Sequence, residues 1–180
     1  MVHPVLDAVG SLLGKDGVRA EAIAAVKVLG TPRLTLMVTP RELRQNPVNH
    51  VDCEFSLPWA VAGLIVEGKL TIGHFTEEAL RNPRYREMAR KVETEMDEAR
   101  RDVTVEITLK NGRTVRSLPV RTPKGHHDNP QTTEEMVEKY RDCVQHGPKP
   151  LSKERSERAK DMILRLQDVD DICQVITLFA

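Results

Sequence analysis

Val103-Thr104-Val105-Glu106-Ile107-Thr108-Leu109-Lys110-Asn111-Gly112-Arg113-Thr114-Val115-Arg116-Ser117-Leu118-Pro119-Val120 decides the fold class. Val103, Val105, Ile107 and Leu109 alternate with Thr104, Glu106 and Thr108, the period of a strand with one buried face. Asn111-Gly112 is the strongest local hairpin signal in the chain, because both residue types accept the positive φ of a tight turn. The stretch therefore reads as two antiparallel strands. Upstream, Ile23 to Gly30 is short and partly alternating, and Thr35 to Thr39 is a second strand-like run, punctuated by Pro32 and Pro40. These four segments predict an antiparallel sheet of about four strands.

The remaining chain carries helical patterns. His3-Pro4 opens a stripe of Val5, Ala8, Val9, Leu12 and Leu13, and Gly14 offers a stop. Arg41 to His50 is polar, contains Pro47, and reads as a loop. Ser56-Leu57-Pro58-Trp59 leads into the most apolar helix: Ser56 can cap it, Pro58 suits its first turn and Gly68 can end it. Its small Ala60, Ala62 and Gly63 would admit a neighbouring backbone, so a central position is expected. Thr76 to Leu80 is a short helix, and Asn82-Pro83 starts another carrying Tyr85, Met88, Ala89 and Val92. Residues 121 to 131 form a polar loop. Thr132 or Thr133 caps a helix through Met136, Tyr140 and Cys143, and Ser152 caps another carrying Ala159, Met162, Ile163 and Leu166. The apolar tail from Val169 to Phe179 must dock somewhere. The fold class is α+β, with helices segregated to one side of the sheet, as a single domain over 1–180.

Composition narrows function. The 180 residues carry 27 Lys plus Arg and 27 Asp plus Glu. A basic or acidic footprint must therefore be local, and a general nucleic-acid binder is disfavoured. No window reaches the roughly 18 apolar residues of a membrane span, and the N-terminus lacks the pattern of a secretory signal, so a cytoplasmic protein without membrane contact is expected. Cys53, Cys143 and Cys173 fit neither a disulfide framework nor a zinc finger and read as buried, reduced thiols. Gly-rich phosphate loops, HExxH and GxSxG are absent from the sequence.

Several residues are candidates for chemistry. His3 precedes a helix start, where an imidazole can face a pocket. Asp7, four positions on, would share its face and could orient the ring. Trp59 reads either as a core anchor or as a pocket wall, with Ser56 and the N–H groups of the helix start beside it. Lys124-Gly125 could set a cation and backbone donors against a carboxylate. His126-His127-Asp128 reads as surface loop, anion contact or metal ligands; adjacent residues rarely point at one metal, and no metal is expected.

Taken in order, several motifs resemble one family. They are His3-Pro4-x-x-Asp7-Ala8, Cys53-x-Phe55-Ser56-Leu57-Pro58-Trp59-x-Val61-Ala62, Gly68-Lys69-Leu70-Thr71-x-x-x-Phe75 and Asn82-Pro83 followed by Ala89. The hairpin, Pro123-Lys124-Gly125-x-x-x-Asn129-Pro130, and a helix with Glu135 and Lys139-Tyr140 complete the set. Together they resemble the C-terminal domain of the MmgE/PrpD family, which includes 2-methylcitrate dehydratase, cis-aconitate decarboxylase and iminodisuccinate epimerase.

The resemblance implies a homodimeric lyase fold whose cofactor-independent site lies between a helical N-terminal domain and this α+β domain. It implies proton abstraction and donation beside the carboxylates of small di- or tricarboxylates. His3 matches the family's active-site histidine and is the expected catalytic group, with Asp7 orienting it and Ser56, Trp59, Lys124 and Gly125 binding substrate. Trp59 stands where many members have tyrosine; its indole N–H can donate a hydrogen bond but not act as an acid near neutrality. The helical domain is missing from the sequence, so the expected function is a lyase subunit or fragment, inactive alone, that needs a helical partner or self-association. The alternative is a non-catalytic, self-associating scaffold domain.

Overall fold

The computed structural model describes residues 2–15, 18–147 and 149–180. In chain order its elements are α1 (His3–Gly10), β1 (Ile23–Gly30), α2 (Thr35–Val38), α3 (Arg41–Gln45), α4 (His50–Glu54), α5 (Leu57–Glu67), α6 (Glu77–Leu80) and α7 (Pro83–Arg90). β2 (Val92–Met96), β3 (Thr104–Leu109), β4 (Thr114–Arg116), α8 (Thr133–Gln145), α9 (Lys153–Leu164) and α10 (Cys173–Ile176) follow. The chain divides into two compact units, Met1–Pro130 and Gln131–Ala180.

The first unit is an α+β domain built on a four-stranded sheet in the order β2-β1-β3-β4. β1 pairs antiparallel with β3 and β3 with β4, while β1 and β2 run parallel, with Val26 beside Val92 and Gly30 beside Met96. A parallel pair needs a crossover, and the helices between residues 31 and 91 supply it. The sheet is therefore mixed rather than wholly antiparallel. One face carries Ile23, Val26, Val28, Val92, Val105 and Ile107, all 2% exposed or less. The other is polar: Lys27 pairs with Glu95 at 2.7 Å and Arg116 with Glu106 at 3.4 Å. Helices cover only the apolar face, as an amphipathic sheet requires.

Two segments differ from the sequence expectation. Thr35–Val38 is a helical turn and not a strand. Pro32 opens the preceding 3-10 turn, the Thr35 hydroxyl donates to the Pro32 carbonyl at 2.7 Å, and Leu34 and Met37, three residues apart, enter the core. The strand that takes its place is β2, where Val92, Thr94 and Met96 alternate with Glu93 and Glu95; Val92 belongs to it and not to the preceding helix. The segment after Pro40 is also not a plain loop. It folds into α3 and α4, and the Gln45 amide donates to the Val92 carbonyl at 2.9 Å, fastening α3 to β2.

α5 is the central helix. Every side chain from Leu57 to Ile65 is buried, because it is apolar all round and has no face to give to water. Ser56 caps it, accepting from the Trp59 amide at 3.0 Å, and Gly68 ends it at φ +75°. A Cβ on Gly63 would lie 3.0 Å from side-chain atoms of both Leu70 and His74, so the space there is filled by side chains and not by the neighbouring backbone expected from its small residues. Cys53 sits in this core, where burial, reinforced by the Asp52 carboxylate, pushes its thiol up to about 12. Cys143 and Cys173 are exposed, unlike the expectation of three buried thiols.

The second unit consists of α8, α9 and the tail. Thr132 and Glu135 form a capping box on α8, and Ser152 caps α9. The helices are joined by the Tyr140 hydroxyl donating to the Ser156 carbonyl at 2.9 Å and by a two-pronged Arg141–Glu157 pair at 2.7 and 2.8 Å. The tail docks in part: Val175 is buried, and Arg155 donates to the Thr177 and Ala180 carbonyls.

Candidate functional site: a basic cleft at one end of the sheet

Strand register gathers the site. Leu29 near the end of β1 lies beside Thr104 at the start of β3, so the segments leaving β1 and entering β3 share one end of the sheet. Val103 and Val120 exchange backbone hydrogen bonds at 2.9 and 2.8 Å, which brings residues 121–123 to the same end. α1 begins there. The result is a cleft of about 640 Å³ whose wall includes His3, Pro4, Arg33, Arg100, Arg101, Asp102, Arg121, Pro123 and His126.

Its electrostatics are one-sided. Four arginines line the cleft against a single acidic residue, Asp102, which already pairs with Arg100 at 3.1 Å. Arg101 donates to the carbonyls of Glu98 and Arg100. Arg33 and Arg121 are exposed, and neither forms a side-chain hydrogen bond or ion pair among the described residues. Desolvated or unpaired arginines at one spot are a two-pronged receptor for carboxylates. A chain that is neutral overall thus carries a strongly positive patch. The start of α1 adds to it, since the first turn of a helix presents partial positive charge.

The sequence candidates separate into two groups. His3 lies in the first turn of α1, exposed at the cleft, with Pro4 beside it. Asp7 is engaged away from that ring: its carboxylate accepts from the backbone N–H of Lys124 at 2.6 Å and ties the 122–130 loop to α1. Lys124 and Gly125 therefore sit beside the cleft as part of that loop, where Gly125 adopts φ +91° and donates to the Asn129 carbonyl at 2.8 Å.

Trp59 and Ser56 lie elsewhere. Trp59 is fully buried, donates from Nε1 to the His74 carbonyl at 2.8 Å and packs edge-on against Tyr85 with centroids 5.7 Å apart. The Ser56 hydroxyl is spent on the Arg44 carbonyl and the Trp59 amide. Both polar groups are satisfied inside the core, so neither is placed to bind substrate at the cleft. The core-anchor reading of Trp59 is the one its surroundings support.

The arginines escaped sequence reasoning. Arg100-Arg101 is a visible doublet, but Arg33 and Arg121 stand 67 or more and 20 or more positions from it in sequence, and only the strand register unites them. His126 likewise reads as a surface-loop residue until the loop is laid over α1. Its carbonyl accepts from Asn129 at 2.9 Å, and its ring lies 4.1 Å from that of His127. Among the described residues, His126, His127 and Asp128 are also the one exposed group whose donor atoms cluster within metal-ligating distance of one another.

Known proteins place this architecture. Human cis-aconitate decarboxylase is 27% identical over 140 residues, a match that covers 74% of this chain and 28% of that protein. The chain therefore spans a little over a quarter of the length of this curated relative. The model of the MmgE/PrpD C-terminal domain matches residues 1–168, which takes in the cleft, the whole sheet and most of the second unit. On that coverage, the chain belongs to the MmgE/PrpD C-terminal domain family.

Proposed function

We propose that this chain supplies one wall of a lyase-type site for small di- or tricarboxylates, with His3 as the proton-transfer group and the arginine cleft as the anion receptor. The observation that carries this reading is the convergence of His3 with Arg33, Arg100, Arg101 and Arg121 on one cleft. Removing a proton next to a carboxylate builds charge on that carboxylate, and fixed positive groups lower the barrier by stabilising it. A histidine can accept such a proton near neutral pH, provided the substrate is held within reach. Family membership favours the same class of chemistry, and the relative's name supplies a tricarboxylate as the first ligand to try. The chain acts with a helical partner that closes the cleft, without a cofactor.

Thermal unfolding with tricarballylate, a stable tricarboxylate, tests the receptor. A ligand present at 100 times its Kd stabilises by about 2.7 kcal/mol, a shift of several degrees. Arg33→Ala and Arg121→Ala should each weaken binding about tenfold or more, since a hydrogen bond to a charged group contributes roughly 1.5–3 kcal/mol. His3→Ala should leave binding largely intact while abolishing turnover in the complex with a helical partner. Wild-type protein whose melting temperature ignores millimolar tricarballylate would remove the reading.

A scaffold role is favoured by a different observation. Ile163, Leu164, Leu166, Ile172, Ile176 and Phe179 of the second unit are each more than 40% exposed. Apolar groups concentrated in one small unit suit an interface with a second copy of the chain. The two roles are compatible.

A further inference from the structure

We infer that His126 is the neutral hydrogen-bond donor of the cleft, presenting Nε2–H to an oxygen of the bound carboxylate. The inference rests on the carboxylate reading above and adds a second histidine with a defined role. His126 lines the same cleft as His3. The backbone amide of Asp128 donates to His126 Nδ1 at 3.2 Å. An amide N–H can only donate, so Nδ1 uses its lone pair there, and the single proton of the neutral ring belongs to Nε2. The Asp128 carboxylate lies 3.6 Å from the same nitrogen, beyond hydrogen-bond distance.

The frame around the ring is fixed. The His126 amide donates to the Pro123 carbonyl at 3.1 Å, the Asn129 amide donates to the His126 carbonyl at 2.9 Å, and Lys124 N–H is held by Asp7 on the helix that carries His3. The His127 ring lies tilted beside that of His126, centroids 4.1 Å apart, and its own Nε2 lies 3.2 Å from the Asp128 carboxylate. The two cleft histidines are thereby referred to one helix start.

The chemistry divides between them. When a proton leaves the substrate carbon for His3, charge moves onto the adjacent carboxylate, and a preorganised donor stabilises it there. A neutral imidazole does this without giving up its proton, so His126 keeps Nε2–H throughout and no proton is left unaccounted for. The arginines supply charge, and His126 supplies a donor of fixed direction.

The test uses the full chain labelled with 15N-histidine and tricarballylate as probe. Long-range proton–nitrogen NMR should show His126 as the Nε2–H tautomer, with Nε2 shifting on ligand addition. His126→Ala should weaken tricarballylate binding about tenfold, the fold-change that 1.4 kcal/mol represents. His126→Asn keeps an acceptor near the Nδ1 position, so the turn is retained, but it lacks the Nε2 donor and should bind as weakly as Ala. His126→Gln places an amide N–H near the Nε2 position and should recover binding to within about threefold of wild type. An Nδ1–H tautomer, or binding that falls with Arg121→Ala yet ignores His126→Ala, overturns this inference alone. Absence of any tricarballylate binding overturns it together with the carboxylate reading.

Discussion

Trp59 shows how one residue type fits two roles until its neighbours are known. Its indole is an aromatic surface with one polar edge, and both a core and a ligand pocket use such groups. The structure satisfies the edge internally, through Nε1–H to the His74 carbonyl, and closes the faces with Tyr85 and the α5 core. Trp59→Phe should therefore leave that buried carbonyl unpaired and lower stability by about 1–3 kcal/mol. Tricarballylate affinity should stay at the wild-type value once measured below the melting transition. Calorimetric melting and a binding titration on the same variant check both halves, and a selective loss of affinity would return Trp59 to the site. Asp7 carries the same lesson: its helical spacing from His3 was legible, but the carboxylate is taken by a backbone amide 117 positions away.

Among the elements, the α8–α9 pair gives a pH-dependent outcome. Glu157 accepts from Arg141 and Lys160, and these cations hold its carboxyl at about 2, below the ordinary 4.5. A depressed carboxyl stabilises the fold above its unfolded value, and that contribution fades as pH falls from about 4.5 toward 2. The stability gap between wild type and Glu157→Gln should therefore be open at neutral pH, narrow below about pH 4.5 and close near pH 2, followed by helical circular dichroism in denaturant. A gap independent of pH would show that the pair contributes by packing and not by charge. The α2 segment belongs to the same scale. Thr35 to Thr39 has β-branched residues and strand-like composition, yet the turn set by Pro32 and the burial of Leu34 and Met37 favour one helical turn.

For the whole molecule, the exposed apolar side chains of the second unit forecast association. Sedimentation over a range of concentrations should show a dimer or larger species, with Ile172→Lys and Ile176→Lys shifting the equilibrium toward monomer. A monomer at every concentration would leave those side chains without a partner of this chain's own kind. Among the described residues no helix is long and apolar enough to cross a membrane.

Local periodicity and turn chemistry were enough to specify the β3–β4 hairpin, the caps at Ser56 and Ser152, the wholly apolar α5, and the motif order that marks the family, and they narrowed the cap of α8 to Thr132 or Thr133. The sequence also held the signal for β2, whose alternation was hidden behind the end of a helix. Long-range contacts were needed to set the parallel pairing of β1 with β2, the burial of Trp59 and Ser56, and the cleft where four arginines meet His3 and His126. The reason is physical. Helix and strand preferences act over a few residues, whereas a binding site is assembled by strand register across the length of the domain, and register places charges side by side without any trace in their spacing.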